Sequence, residues 1–147
     1  MLIYFAGPLF NDAEKWFNER LTEKLEQLGF NVFLPQRDGF ELNDPKARFE
    51  PKERADYIFK LDRDKVFESD ILLYVLDGRV PDEGAAFELG LAYAQKTLLA
   101  KPYTLIGYMT DRRVAFLDRP VNAMLAGALE HIFTEEADLL DYLKGLL

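Results

Sequence analysis

Glu88 lies in the stretch VPDEGAAFELGLAYA at positions 80–94, and the other residues of its part 85–94 are apolar. Because burying an unpaired carboxylate costs several kcal/mol, this side chain must be exposed, paired or used in chemistry. The PDEG motif at 81–84 predicts a turn and a helix N-cap, so Glu88 should fall in the first two helical turns, where the positive helix end favours an ionised carboxylate. An ionised and oriented carboxylate is a nucleophile. The alternative is an ion pair with one of three arginines, Arg79, Arg112 or Arg113.

Asp82 and Asp62 are the other carboxyls that the sequence places near such a site. Asp82 precedes Glu88 by six residues and can reach the same pocket from the turn, although an ordinary N-cap explains it equally well. In a helix predicted near 52–68, Asp62 falls on the apolar face, which comprises Ala55, Ile58, Phe59 and Val66. Partial desolvation there would raise the pKa of Asp62, as a general acid near neutral pH requires. The alternative is a structural bond to a backbone donor or an arginine.

Carboxyls that converge on one cleft, with one charged and one protonated, are typical of retaining glycosyl chemistry. One carboxylate attacks the anomeric carbon while the acid assists the leaving group, and an acceptor then opens the ester. The single histidine, His131, lies in ALEHIFT without a partner constellation, so we interpret it as structural. Acid–base chemistry should therefore come from carboxylates.

Alternating strands and helices are predicted to position these residues. Strands are predicted at 2–6, 30–35, 70–78 and 102–109, with a short fifth at 131–133, and helices at 11–28, 52–68, 84–95, 121–129 and from 135 towards 147. This order predicts one parallel sheet with helices on both faces. Ligands of such sheets bind beyond the carboxyl ends of the strands.

The first predicted helix begins with a capping-box pattern at Asn11 and Glu14. Its apolar stripe is predicted to comprise Trp16, Phe17, Leu21, Leu25 and Leu28. The polar segment 37–51 is long enough to be an ordered loop or a lid.

The composition excludes several classes of protein. The 147 residues, 49% of them hydrophobic, fit one globular domain spanning 1–147. A net charge of -8 disfavours a nucleic-acid partner, since such affinity rests on basic side chains. The lack of cysteine excludes disulfides and thiolate zinc sites, and no apolar run reaches the ~18 residues that a membrane span needs. We therefore expect a soluble, cytoplasmic protein that binds neither nucleic acid nor membrane.

The sequence resembles the nucleoside 2-deoxyribosyltransferase family over most of its length. The likeness runs through IYFAGPLF at 3–10, LPQRD at 34–38, SDILLYVLDGRVPDEGAAFELGLAYA at 69–94 and RPVNAM at 119–124. The resemblance implies a flavodoxin-like three-layer sandwich with a five-stranded parallel sheet. It also implies transfer of 2-deoxyribose between purine or pyrimidine bases of deoxynucleosides, without a metal or an organic cofactor.

By the same resemblance, four residues take catalytic roles. Glu88 corresponds to the nucleophile that receives the deoxyribosyl group, and Tyr4 to the hydroxyl that orients it. Asp82 matches the carboxylate that binds the sugar or assists at the base. Asp62 matches an acid near the nucleobase, in agreement with its position on the helix face.

The resemblance assigns four further residues to substrate binding. Gln36 corresponds to an amide that contacts the base, and Phe10 to an aromatic wall, while Gly7 belongs to the same AGP segment. Asn122 matches a residue that a neighbouring subunit lends to the sugar, which implies a dimer, or a hexamer built from dimers, with shared active sites. Without the resemblance, Tyr4, Phe10 and Gln36 would be interpreted as ordinary strand or turn residues.

Two rival functions remain open from the sequence. A 2-deoxynucleoside 5'-monophosphate N-hydrolase of the same superfamily would use the same carboxylates and pass the sugar to water, but its glycine-rich, serine-bearing phosphate cradle is not evident. A non-enzymatic flavodoxin-like signalling module would need acidic residues at the end of the first strand, which instead ends in AGP at 6–8.

Overall fold

Five short strands form one parallel sheet in the computed structural model, which describes residues 1–39, 50–111 and 121–147. The strands are β1 (Leu2–Ala6), β2 (Asn31–Phe33), β3 (Ile71–Val75), β4 (Thr104–Tyr108) and β5 (His131–Phe133). Their spatial order is β2-β1-β3-β4-β5, and every neighbouring pair is parallel. The predicted five-stranded parallel sheet is confirmed, and this strand order is the flavodoxin-like one.

Helices cover both faces of the sheet. They are α1 (Asp12–Gln27), α2 (Pro35–Asp38), α3 (Pro51–Glu68), α4 (Glu83–Leu98), α5 (Ala123–Ala128) and α6 (Glu136–Lys144). Apolar residues of α1 and α6 pack with one face of the central strands, and those of α3, α4 and α5 pack with the other. The predicted three-layer sandwich is therefore confirmed, and it contains one short helix, α2, that the sequence did not predict.

The start of α1 follows its sequence pattern. The Asn11 side chain accepts a hydrogen bond from the Glu14 backbone N–H at 3.0 Å, and the Glu14 carboxylate accepts one from the Asn11 N–H at 3.2 Å, which completes the capping box. Trp16 does not belong to the buried stripe, because it is 65% exposed. It lies one residue before Phe17, about 100° around the helix, so its ring lies beside Arg20 instead of the core.

The order in which successive strands join the sheet reverses between β1 and β3, which is the topological switch point of the sheet. From β1 the chain moves outward to β2 and then crosses back to β3 on the other side. In open parallel sheets, ligands bind at such a switch point, beyond the carboxyl ends of the strands. Gly7 follows β1 here with a φ of +156°, and a Cβ atom on it would lie 3.0 Å from the Val75 Cβ atom. A glycine is therefore needed for the close approach of the two strand ends.

Some predictions fall on residues outside the described part of the chain. Most of the segment predicted as an ordered loop or lid belongs to 40–49, and two predicted partners of Glu88, Arg112 and Arg113, belong to 112–120. Across the described ranges, no helix combines the length and apolar character that crossing a membrane requires.

Candidate active site

Tyr4 of β1 contacts Glu88 of α4. Tyr4 is fully buried on the α4 side of β1, and its hydroxyl donates a hydrogen bond to Glu88 Oε1 at 2.7 Å. Glu88 lies in the second turn of α4 and is partly buried. The structure thus contains the hydrogen bond that the resemblance implied. Within the described residues Glu88 forms no ion pair, so the alternative of a salt bridge to Arg79 is not observed.

The pKa of Glu88 is raised, against the expectation of an ionised carboxylate at the helix start. Burial is the main cause that raises the pKa of Glu88 to about 8, and the charges of Asp62 and Asp82 raise it further. The hydrogen bond from Tyr4 opposes this rise but does not cancel it. The position of Glu88 near the helix start is therefore outweighed by its desolvation.

The Tyr4 hydroxyl stays protonated near neutral pH and therefore remains a hydrogen-bond donor. Its pKa is raised far above the ordinary range, first by burial and then by the charges of Glu88 and Asp62. A neutral tyrosine hydroxyl can hold one carboxylate oxygen, Oε1, and leave Oε2 for other contacts.

Asp62 is the second carboxyl with a perturbed proton affinity. It lies on α3, half-buried, and burial raises its pKa to about 6, as predicted from the sequence. No other described residue forms a hydrogen bond or an ion pair with the Asp62 carboxyl, so the alternative of a structural partner is not observed within that part of the chain. Its charge influences both Glu88 and Tyr4, which places all three groups around one site.

The apolar face predicted for α3 is only partly buried. Val66 is fully buried and Leu61 packs against the core, whereas Ala55 and Phe59 are exposed. The reason is that α3 packs against the core with its C-terminal half, which begins close to Asp62. Asp62 therefore lies at the boundary between the packed and the exposed halves of α3.

Asp82 is the N-cap of α4. Its Oδ2 accepts a hydrogen bond from the Ala85 backbone N–H at 2.8 Å, which confirms the interpretation as an ordinary cap. Its negative charge also contributes to the raised pKa of Glu88. The same side chain thus caps the helix and belongs to the electrostatic environment of the carboxyl pair.

Tyr74 was not identified from the sequence. It is fully buried on β3, and its hydroxyl donates a hydrogen bond of 2.6 Å to the main-chain carbonyl of Asp82. Burial is the main cause that raises its pKa, with smaller contributions from the charges of Asp82 and Glu88. The one signal in the sequence is a hydroxyl group within the otherwise apolar strand ILLYV at 71–75.

The amide of Gln36 is occupied by structural partners. Asn18 donates to its Oε1 at 3.0 Å, and its Nε2 donates to the Lys15 carbonyl at 2.9 Å. The buried Asn18 also donates to the Pro8 carbonyl at 2.9 Å. The Asn18 amide on α1 therefore connects Gln36 of α2 with the segment after β1. Phe10, by contrast, is 75% exposed near the same segment.

Asn122 forms no hydrogen bond with Asp62 or Glu88 within the described part of the chain. It is the N-cap of α5, where its Oδ1 accepts a hydrogen bond from the Met124 N–H at 2.8 Å, and its side chain is exposed. Between α4 and α5 runs an apolar groove of about 320 Å³, and its lining includes Leu89, Gly90, Tyr93 and Met124.

Metal-ligand geometry does not occur in the described ranges, where no three His, Cys, Asp or Glu side chains are grouped to hold a metal ion. The chemistry that the site can perform with its own groups is proton exchange by Asp62 and nucleophilic attack by Glu88.

A flavodoxin-like parallel sheet with helices on both faces defines an α/β protein. The model of the nucleoside 2-deoxyribosyltransferase family matches residues 3–135, and the chain belongs to this family. A conserved protein from Enterococcus faecalis V583 shares 28% identity at a TM-score of 0.78, covering 100% of this chain and 99% of that one. A 2-deoxyribosyltransferase from the psychrotolerant bacterium Bacillus psychrosaccharolyticus shares 25% identity at a TM-score of 0.76, covering 97% of this chain and 92% of that one. No curated protein matches the sequence.

Proposed function

We propose that the protein transfers 2-deoxyribose between nucleobases by double displacement through a glutamyl-deoxyribosyl ester. The observation that carries the proposal is the hydrogen bond from Tyr4 to Glu88 beside Asp62, because it combines an oriented carboxylate with a carboxyl whose pKa is about 6. Membership of the nucleoside 2-deoxyribosyltransferase family supports the same substrate class.

In the first displacement, Glu88 Oε2 attacks the anomeric carbon of a deoxynucleoside. The bond from that carbon to the base nitrogen breaks, the base takes the electron pair, and Asp62 supplies the proton. Tyr4 holds Oε1 throughout, so the attacking oxygen keeps its direction. The product is a deoxyribosyl ester on Glu88 and a free base.

In the second displacement, a different base attacks the same carbon. The ester bond breaks, Glu88 regains its negative charge, and the incoming base returns its proton to Asp62. We place Asp82 at the sugar or the base, and Phe10, Gly7 and Gln36 along the base. For Gln36 this placement uses the second lone pair of Oε1, because Oε1 accepts one hydrogen bond, from Asn18, whereas Nε2 donates to the Lys15 carbonyl and to Glu19.

Both carboxyls of the pair titrate near neutral pH. Burial raises the pKa of both groups towards neutrality, to about 6 for Asp62 and to about 8 for Glu88, so the pair as a whole exchanges a proton in this range. The reaction needs the proton on Asp62 and the charge on Glu88. Positive charge that develops on the sugar favours this arrangement, because it lies beside the attacking carboxylate.

We further propose a single domain over 1–147 and a homo-oligomer, a dimer or a hexamer, in which Asn122 of one subunit completes the site of another. The apolar groove between α4 and α5 supports this assembly, because it lies beside Asn122 and exposes Met124 to 81%. The reaction suits the cytoplasmic salvage of nucleobases, and it requires only the two substrates and the protein's own side chains.

Incubation with a deoxynucleoside and a different free base tests the proposal. A new deoxynucleoside is the expected product, and Glu88→Gln should not form it, since an amide cannot make the ester. Free base and deoxyribose 5-phosphate from a deoxynucleoside 5'-monophosphate would indicate the hydrolase instead, and unchanged substrates would reject both enzymes.

Trapping of the intermediate tests the ester itself. After rapid quenching of the protein with a deoxynucleoside and no acceptor, intact-protein mass spectrometry and peptide mapping should find one deoxyribosyl group on Glu88. An adduct on Asp82 or Asp62 would overturn the assignment of the nucleophile.

A further inference from the structure

The first two turns of α4 are tied to the sheet by two tyrosine hydroxyls. Tyr4 of β1 binds the carboxyl of Glu88, and Tyr74 of β3 binds the main-chain carbonyl of Asp82. We infer that Tyr74 is a positioning residue, which together with Tyr4 fixes α4 so that Asp82 and Glu88 keep their places in the site. The inference rests on the proposed function for its catalytic consequence.

The spacing of the two contacts along the sheet matches their spacing along the helix. In the register of β1 and β3, Tyr4 pairs with Leu72 and Ala6 pairs with Tyr74, so Tyr74 lies two residues farther along the strands than Tyr4, or about 7 Å. Their acceptors, Asp82 and Glu88, are six residues apart on the helix, or about 9 Å. Two contacts at this separation restrict both the sliding and the rotation of α4, whereas one contact leaves rotation about it possible.

The loop that leads into α4 makes the second contact necessary. Gly78 has a φ of +122°, and Arg79 and Val80 are exposed, so the middle of the loop contributes little packing. Asp77 fixes the beginning of the loop by accepting hydrogen bonds from the backbone N–H groups of Thr110, at 2.6 Å, and Asp111, at 2.9 Å.

Tyr74 fixes the other end of this loop. The Asp82 carbonyl that accepts its hydroxyl also accepts the first helical hydrogen bond, from the Ala86 N–H at 3.0 Å. Loss of the hydroxyl would leave this carbonyl with its helical partner but without its tie to β3. The start of α4, and the Asp82 carboxylate with it, would then be free to move relative to Glu88.

The pKa of Glu88 depends on its distance from the Asp82 carboxylate, so a change in this pKa measures the movement of Asp82. The groups that act on Glu88 are Tyr4 from β1, Asp62 from α3 and Asp82 from the N-cap of α4, and the charge of Asp82 raises the pKa of Glu88. A displacement of the Asp82 carboxylate by about 2 Å should lower the midpoint of the Glu88 titration by roughly half a pH unit.

Tyr74→Phe tests the inference, because it removes the hydroxyl and keeps the ring. In protein with ¹³C-labelled glutamate carboxyls, the Glu88 signal is assigned by its loss in Glu88→Gln, and its midpoint is measured by NMR. We expect a lower midpoint in Tyr74→Phe and a roughly three- to tenfold lower kcat. Tyr108→Phe is the matched control, since Tyr108 is a buried tyrosine of β4 on the opposite face of the sheet.

A double-mutant cycle establishes whether Tyr74 acts through Asp82. Asp82→Asn keeps the N-cap but removes the charge, so Tyr74→Phe should no longer move the Glu88 midpoint in that background. A midpoint in Tyr74→Phe that equals or exceeds that of the wild type, or a decrease that persists beside Asp82→Asn, would overturn the inference. The titration needs no substrate, so its result is separate from failure of the proposed function, which would appear as a wild type without transfer activity.

Discussion

Replacement of Glu88 by glutamine should remove a pH dependence from the stability of the protein. The pKa of Glu88 is raised from 4.5 to about 8, so the folded state binds this proton more tightly than the unfolded state does. The proton therefore stabilises the fold fully below pH about 4.5, and this contribution is lost as the pH rises through about 8. In Glu88→Gln the amide oxygen would still accept the Tyr4 hydrogen bond, but the side chain would not titrate.

The size of the change in unfolding free energy follows from the difference between the pKa values of Glu88 in the folded and the unfolded state. At about 1.4 kcal/mol per pH unit, a difference of about 3.5 units corresponds to an upper limit on the order of 5 kcal/mol. The part that is lost between pH 6 and pH 8, an interval that begins at the pKa of Asp62, is at most about 3 kcal/mol. Because solvent reaches part of the Glu88 side chain, we expect an actual loss of about 1–2 kcal/mol over this interval.

Urea unfolding at pH 6, 7, 8 and 9 measures the effect. The free energy of unfolding of the wild type should decrease over this series and then become constant, and that of Glu88→Gln should change much less. Asp56→Asn is the control, because Asp56 is an exposed carboxylate of α3 paired with Lys60, and its removal should leave the pH dependence intact. Parallel curves for the wild type and Glu88→Gln would refute the conclusion that Glu88 holds a proton near neutral pH.

Three further variants test the roles of single groups. In Tyr4→Phe the Glu88 carboxylate loses a hydrogen bond worth about 1.5–3 kcal/mol, so the alkaline limb of kcat/KM, which follows the higher pKa of the carboxyl pair, should move up by about one to two pH units, and an unmoved limb would contradict the role of Tyr4. Asp62→Asn should reduce turnover strongly with poor leaving bases and weakly with good ones; equal losses across a series of bases would count against Asp62 as the acid. Asn122→Ala should weaken substrate binding and cost about 1 kcal/mol through loss of the α5 cap, while keeping the fold. Sedimentation of the wild type completes that test, since a fully active monomer would reject the shared site.

The layers of the fold can be predicted from the sequence because each strand is an apolar run bounded by turn residues. Two predictions of the fold are wrong: the short helix α2 was not predicted, and Trp16 was assigned to the buried stripe of α1. The four residues of α2 are too few to show a helical period, and Pro35 at its start suggests a turn as much as a helix. Trp16 has the hydrophobicity of a core residue, but its position beside Phe17 on α1 turns it away from the sheet.

The residues of the site can be predicted better than their charges. A glutamate inside the apolar run of α4 and an aspartate on the apolar side of α3 are visible as anomalies in the sequence. The proton affinity of Glu88, however, depends on how closely Tyr4, Asp62 and Asp82 surround it, and these groups come from separate elements. The helix end acts locally and favours ionisation, whereas burial is a tertiary property and has the larger effect. Gln36 shows the same limit, since its amide partners on α1 become visible only in the folded chain.

The raised pKa of Glu88 is compatible with its proposed role as a nucleophile. Three carboxyls near one site would repel one another if all were ionised, so a proton on Glu88 stabilises the empty site. In the proposed mechanism, a sugar that develops positive charge reverses this preference, because the ionised Glu88 then lies beside an opposite charge. The interaction is therefore stronger in the transition state than with the bound substrate, and only such a difference accelerates the chemical step. A Glu88 carboxylate that was fully ionised and stabilised by an arginine before the substrate arrived would lose part of this difference.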